Sequence, residues 1–183
     1  MVQSLPSLQH LALQAGTIGI LADGFPVSIA TSCSQLRHLE IRGGGLLGYL
    51  PEELGRLEGL TRLELHNAGV MSLPDTISRL SSLRELDLTS NYDLSLPDRL
   101  PAGLTACQQL TRLHIDFSPT SPVLASLRSL RCLSVGSAPL MQPHEMFWTQ
   151  LTALTELQLQ CSGDGEVPAG LAGMTGLRTI GID

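Results

Sequence analysis

Leu60-Thr61-Arg62-Leu63-Glu64-Leu65 and Leu83-Arg84-Glu85-Leu86-Asp87-Leu88 carry one spacing, Leu-x-x-Leu-x-Leu, set 23 residues apart. After the first leucine, polar and apolar residues alternate, which is the period of a strand with one face buried and the other exposed. With Ile or Val allowed at the last position, the spacing returns eight times, from Leu8-Gln9-His10-Leu11-Ala12-Leu13 to Leu177-Arg178-Thr179-Ile180-Gly181-Ile182. Its first leucines are Leu8, Leu36, Leu60, Leu83, Leu110, Leu130, Leu154 and Leu177, separated by 28, 24, 23, 27, 20, 24 and 23 residues. No hairpin signal stands between one strand and the next, so the strands run parallel and stack about 4.8 Å apart. Eight of them make a sheet about 34 Å across.

The segments between the strands are repetitive too. An apolar residue and a proline occur together at Leu50-Pro51, Leu73-Pro74, Leu96-Pro97 and Val167-Pro168. Proline ends strand pairing, since it lacks the amide donor and fixes its own φ. Apolar residues three apart then lead into the next unit, as in Leu54, Leu57, Leu60 and in Ile77, Leu80, Leu83. That spacing predicts a helical or 3₁₀ turn whose inner side covers the sheet.

The period and pattern resemble those of leucine-rich repeats. Two repeat types are mixed. Leu47-Gly48-Tyr49-Leu50-Pro51-Glu52-Glu53-Leu54-Gly55-Arg56-Leu57 resembles the plant-type unit, echoed by Gly165-Glu166-Val167-Pro168-Ala169-Gly170-Leu171. Met71-Ser72-Leu73-Pro74-Asp75-Thr76-Ile77-Ser78-Arg79-Leu80 resembles the intracellular Ras-group-related unit. The resemblance implies an α/β leucine-rich-repeat solenoid, a curved horseshoe. A parallel β-sheet lines its concave face, and short helical, 3₁₀ or irregular segments form its convex face. Residues 1–183 form one domain of about eight repeats on this reading, and the mixture of types implies a plant or green-algal source.

The chain departs from the family pattern in places. The position eight residues after each first leucine, usually Asn, is Asn only at Asn91; elsewhere it is Gly16, Gly44, Ala68, Ser118, Ala138 or Ser162. Without a continuous asparagine ladder, the buried backbone groups there need other partners. The fifth unit, from Leu110, is short and lacks the Leu-Pro pair. The sixth fills its convex side irregularly with Met141, Met146, Phe147 and Trp148, and the first is long. Uneven curvature is expected at these units.

Composition narrows the function. With 183 residues, 43% of them hydrophobic, the chain buries a sizeable core as one domain. A net charge of −6 without any basic run argues against nucleic acid or anionic membrane as partner. No apolar stretch is long enough to span a bilayer, and Met1-Val2-Gln3-Ser4-Leu5-Pro6 lacks the layout of a signal peptide. Cys33 and Cys107 take positions that other units fill with Leu, so they read as small core hydrophobes, and Cys132 and Cys161 are not equivalent to each other. The paired cysteines that cap secreted members of the family are missing, and neither Asn67 nor Asn91 starts a glycosylation sequon. A cytoplasmic setting is expected.

Polar positions between the leucines project from the concave face, the usual contact surface of such arrays. The central column is Ala12, Glu40, Glu64, Asp87, His114, Ser134, Gln158, Gly181. The preceding one is His10, His38, Arg62, Glu85, Arg112, Cys132, Glu156, Thr179, and the following one Gln14, Arg42, His66, Thr89, Asp116, Gly136, Gln160, Asp183. Glu40, Glu64 and Asp87 on neighbouring strands form a ladder of like charge, unfavourable in isolation. Either Arg42, Arg62 and His66 neutralise it locally, or it docks a basic segment of a protein partner. The candidate partner-binding residues are His38, Glu40, Arg42, Arg62, Glu64, His66, Glu85, Asp87, Arg112 and His114, with Tyr92 and Phe117 as aromatic anchors at the rim. Only His10 and His38 share a column, and no third ligand is expected beside them, so no metal site is predicted. Gly43-Gly44-Gly45 fits no phosphate-binding pattern and reads as a turn, and Ser, His and Asp occur without a nucleophile elbow. Neither cofactor nor catalysis is expected.

These readings converge on a non-catalytic protein-interaction module in intracellular signalling or immune-type recognition, as the resemblance implies. A cytoskeletal or axonemal scaffold, or the recognition part of a larger kinase or ubiquitin ligase, are the alternatives. Neither terminus carries a visible polar cap, so the chain is expected either to be a fragment of a longer repeat array or to self-associate, through the open edge at Ile180 and Ile182.

Overall fold

The computed structural model of the chain describes residues 5–14, 24–44, 47–95, 100–116, 122–136, 145–160 and 169–182. Its strands in chain order are β1 (His10–Gln14), β2 (His38–Arg42), β3 (Gly48–Tyr49), β4 (Arg62–His66), β5 (Val70–Ser72), β6 (Glu85–Asp87), β7 (Arg112–Ile115), β8 (Cys132–Val135), β9 (Glu156–Leu159) and β10 (Thr179–Ile182). Eight form one sheet in the order β1-β2-β4-β6-β7-β8-β9-β10, each pair of neighbours parallel. Strands β3 and β5 make a separate parallel pair that the alternation in the sequence did not signal.

The register is set by the leucines. Leu11, Leu39, Leu63, Leu86, Leu113, Leu133, Leu157 and Ile180 stand side by side across all eight strands. The six inner members of that row are fully buried, whereas Ile180 on the last strand is 48% exposed. A shift of one residue would turn the whole row to solvent, so burial holds the strands in step.

Three 3₁₀ segments cover the other side of this core: Glu52–Arg56, Asp75–Arg79 and Ala102–Ala106. Each comes after a proline in extended conformation, Pro51, Pro74 or Pro101. A proline suits that place because the first turn has no internal partner for an amide. Each segment sends one residue inward, Leu54, Ile77 or Leu104, all buried. The apolar-proline pair opening the third segment is Leu100-Pro101; Leu96-Pro97 and Val167-Pro168 lie outside the described residues. Elsewhere the convex side uses short α-helices, α1 (Val27–Ser32), α2 (Pro122–Ala125) and α3 (Glu145–Gln150), which buries Trp148, and a further 3₁₀ segment, Ala169–Gly173, packed on α3. Met141 and the side chains of Met146 and Phe147 fall outside the described residues. No described helix is long and apolar enough to cross a membrane.

Successive convex segments touch through backbone. A Cβ on Gly55 would lie 2.6 Å from the Thr76 carbonyl oxygen, and one on Gly103 would lie 2.4 Å from that of Asp75. At the opposite end of the strands, Gly43, Asn67 and Ser90 occupy the same place in three consecutive units, with φ of 75°, 50° and 61°. The chain leaves each of these strands through a left-handed residue, and Gly44 after Gly43 is left-handed too, with φ of 90°, while Gly45 lies outside the described residues.

Asn91 replaces the missing ladder at one unit. Buried in the core, it accepts the amides of Ala68 and Val70 through Oδ1 and donates through Nδ2 to the carbonyls of Leu65 and Leu88. One unit earlier no asparagine is present, and that unit is joined to the next through backbone: Leu47 and Gly48 donate to the carbonyls of Ala68 and Gly69, each at 2.9 Å. Gly16, Ser118, Ala138 and Ser162 lie outside the described residues.

The thiols of Cys33, Cys107 and Cys132 are free and buried, and Cys161 lies outside the described residues. Burial pushes the Cys107 pKa up to about 11 and raises those of Cys33 and Cys132 as well.

Candidate interaction surface

Because the eight strands are in register, the central and preceding polar columns read from the sequence are physical rows, and Gln14, Arg42 and His66 of the following one also stand side by side. Ala12, Glu40, Glu64, Asp87, His114, Ser134, Gln158 and Gly181 form the central one. Each strand contributes its side chains to one face at alternate positions, so His38, Glu40 and Arg42 all stand on the polar side of β2.

The acidic ladder is internally partnered. Glu64 receives His38 Nε2 at 2.9 Å, Arg42 Nη2 at 3.3 Å and Arg62 Nη1 at 3.7 Å. Arg42 Nε also pairs with Glu40, and that hydrogen bond raises the guanidinium pKa. Arg62 Nη2 reaches Glu85 Oε2 at 2.8 Å. Glu40, Glu64 and Glu85 are therefore tied together by two arginines, which removes most of the like-charge repulsion.

Asp87 is handled differently. Its Oδ1 accepts the Thr89 amide at 2.9 Å and the Thr89 hydroxyl at 2.6 Å. Since Thr89 gives its proton to Asp87, His66 Nδ1 donates to the Thr89 oxygen, 2.7 Å away. His66 thus serves this chain of contacts instead of the Glu40–Glu64 pair. Arg112 is exposed and His114 half-buried on the next strand.

A third donor does stand beside the paired histidines. His10 and His38 stack with ring centroids 4.2 Å apart, and their nitrogens and a Glu40 oxygen all lie within 4.8 Å of one another. The column-by-column reading missed Glu40 because residues i and i+2 of a strand share a face although they belong to different columns. Glu40 is engaged by Arg42 and His38 by Glu64, so both are already held by protein groups.

At the rim, Tyr92 is 72% exposed, and so is Tyr49 on β3, a residue that no feature of the repeat pattern singles out. Phe117, the other aromatic expected there, lies outside the described residues.

A family model described as a leucine-rich repeat region matches residues 26–158. The chain belongs to the leucine-rich repeat family. Among solved structures, this repeat protein is similar to the leucine-rich repeat domain of the type III effector XopL. The identity there is 22% and the TM-score 0.58, over 97% of this chain and 70% of that one. It is also similar to the Arabidopsis receptor kinase HAESA, solved with the peptide hormone IDA and the co-receptor SERK1. That match has 16% identity and a TM-score of 0.53, over 96% of this chain and 34% of that one. A Leptospira interrogans leucine-rich repeat protein matches at 19% identity and a TM-score of 0.50, over 97% of this chain. The repeat protein spans only 55% of that relative's chain. At these identities the likeness is one of fold. A search of curated proteins returns no match.

Proposed function

We propose that this chain is a non-catalytic protein-interaction module that binds its partner on the concave sheet. The observation that carries the proposal is the set of charges Glu40, Glu64, Glu85, Arg42 and Arg62, locked by ion pairs into one arrangement on neighbouring strands. Charged groups held in fixed positions give a protein surface specificity at small entropic cost. His38, His66, Asp87, Arg112 and His114 extend that surface along the sheet, and Tyr92 offers an apolar anchor at its rim. A basic segment of the partner would add its cations to the carboxylates that Arg42 and Arg62 hold in place.

The finer readings are part of the same proposal. A role in signalling or immune-type recognition fits the fold shared with HAESA, which was solved with a peptide hormone, and with the effector XopL. Free, buried thiols fit a reducing cytoplasmic setting, and the mixed repeat types fit a plant or green-algal source. Exposed Ile180 and Ile182 on the outermost strand β10 offer this polypeptide a self-association contact, which light scattering reads as dimers.

Affinity capture from source cells, with mass spectrometry of the retained proteins, tests the reading. The wild-type chain should retain a discrete partner that a Glu40→Gln/Glu64→Gln/Asp87→Asn variant of unchanged circular dichroism retains poorly. Equal retention by both would move the site off the concave sheet.

A further inference from the structure

Arg37, Arg84, Arg131 and Arg178 recur at intervals of 47 residues. Each stands immediately before a strand, β2, β6, β8 or β10, and the strands between them, β4, β7 and β9, have Thr61, Thr111 and Thr155 at that place. An alternating row of arginine and threonine therefore runs along one rim of the sheet.

The backbone fixes this row. The Arg37 carbonyl accepts the amides of Thr61 and Arg62 at 2.8 and 3.0 Å, and the carbonyls of Arg84 and Arg131 accept the corresponding pairs at 2.8 to 3.0 Å. The threonine hydroxyls donate to the same three carbonyls, at 2.9, 3.1 and 3.2 Å. With those hydroxyls turned onto the backbone, the long side chains leaving the row are the four arginines, all exposed. Arg37 Nη1 donates to the neutral Gly59 carbonyl at 3.0 Å, and no ion pair joins any of the four to a described residue. This contrasts with Arg42 and Arg62, which are neutralised within the sheet. Around Arg84 the surface opens into a pocket of about 330 Å³ lined by Thr61, Arg62, Glu85, Thr111 and Arg112.

Arginines on alternate strands are about 9.6 Å apart, twice the strand spacing. A polyproline II chain presents the same face every three residues, about 9.3 Å, and so stays within about 1 Å of the row over its three gaps. A helix returns a face every two turns, about 10.8 Å, and drifts by about 3.6 Å over the same length. A β-strand repeats at about 6.7 Å, which fits one gap poorly. Every one of the chain's 11 basic residues is arginine, whose planar fork takes a carboxylate bidentately. Single-stranded nucleic acid would need aromatic platforms for its bases, and this row has none.

We propose that the arginine row binds an acidic polypeptide segment in polyproline II conformation, with Asp or Glu at every third position. The inference rests on the reading of the chain as a protein-binding module but centres the contact on the rim of the sheet, which adjoins the concave charges at Arg62 and Glu85.

Fluorescence polarisation with a labelled peptide of repeated Pro-Pro-Glu tests it. The full chain should bind this peptide, more weakly as salt rises. Arg84→Gln and Arg131→Gln should each weaken binding about two- to five-fold, as expected for exposed ion pairs. The quadruple Arg37, Arg84, Arg131, Arg178→Gln variant, folded by circular dichroism, should lose it. Arg56→Gln/Arg79→Gln on the convex side should bind as the wild type, and Glu40→Gln/Glu64→Gln, which takes a carboxylate partner from Arg62, should bind at least as tightly, which separates this site from the concave one. A peptide of equal charge with Glu at every second position should bind several-fold more weakly. Absence of binding, wild-type affinity in the quadruple variant, equal binding of the mis-spaced peptide, or tighter binding of a single-stranded oligonucleotide of equal charge would each overturn the proposal.

Discussion

Asn91 reaches out of its own repeat to Val70, accepting that residue's backbone amide at 2.9 Å while staying buried in the core. Its other bonds go to Ala68, Leu65, Leu88 and Thr89, so one side chain satisfies backbone groups of two successive units. Removing it leaves several buried groups without partners, each costing about 1–3 kcal/mol. Asn91→Ala should therefore destabilise the chain by about 2–4 kcal/mol and lower Tm by roughly 5–15 °C. Asn67→Gly, at an exposed residue with φ of 50°, should change stability by less than about 0.5 kcal/mol. Thermal melts of equal midpoint would remove the structural role given to Asn91.

The stacking of convex turns makes its own prediction. Gly103→Ala puts a Cβ 2.4 Å from the Asp75 carbonyl oxygen, and backbone on both sides cannot yield cheaply. A loss of about 1–3 kcal/mol is expected, as for overpacking elsewhere. Gly181→Ala meets only the Gln158 side chain at 3.6 Å, an ordinary contact, and should be tolerated. Chemical denaturation of the two variants checks the contrast.

Inward and outward positions on one strand should respond in opposite ways. Leu86 is fully buried and Asp87 beside it half-buried on the polar face. Leu86→Asp places an unpaired charge in the core and should unfold the chain. Asp87→Ser, which loses the contacts to Thr89 and spares the packing, should cost about 1 kcal/mol. Circular dichroism melts that coincide would reverse the assignment of faces.

Most of this face was legible before the fold was known. Connections without a hairpin signal set strand direction, the alternation Leu63-Glu64-Leu65 set the register, and the register set the rows, because parallel neighbours in step place equivalent residues side by side. What the alternation could not convey was chemistry across columns. Glu40 beside His10 and His66 paired to Thr89 depend on side-chain reach, which a column-by-column reading ignores. Leu100-Pro101, an apolar-proline pair that the repeat reading passed over, opens a 3₁₀ turn as Leu50-Pro51 and Leu73-Pro74 do. The 47-residue interval of the arginines was present in the sequence but hidden by unequal repeat lengths.

Cys107 links pH to stability. Its thiol pKa is pushed from 9.0 up to about 11 by burial, so the folded state holds the proton more tightly than the unfolded one. This contribution is complete below pH 9 and is lost as pH rises through 11. Stability should fall across that window, less so in Cys107→Ala once its own packing loss is subtracted. A thiol reagent at neutral pH should modify Cys107 in the native chain far more slowly than in denaturant.

The claim that the concave sheet is the binding surface is tested most directly by photocrosslinking. A photoreactive residue replacing exposed Gln158 or Ala12 stands on the sheet, and one replacing exposed Arg79 or Gln108 stands on the convex side. Irradiation of each variant with the captured partner should give a covalent adduct from the sheet positions and little from the convex ones. Adducts formed only from Arg79 or Gln108 would contradict the account.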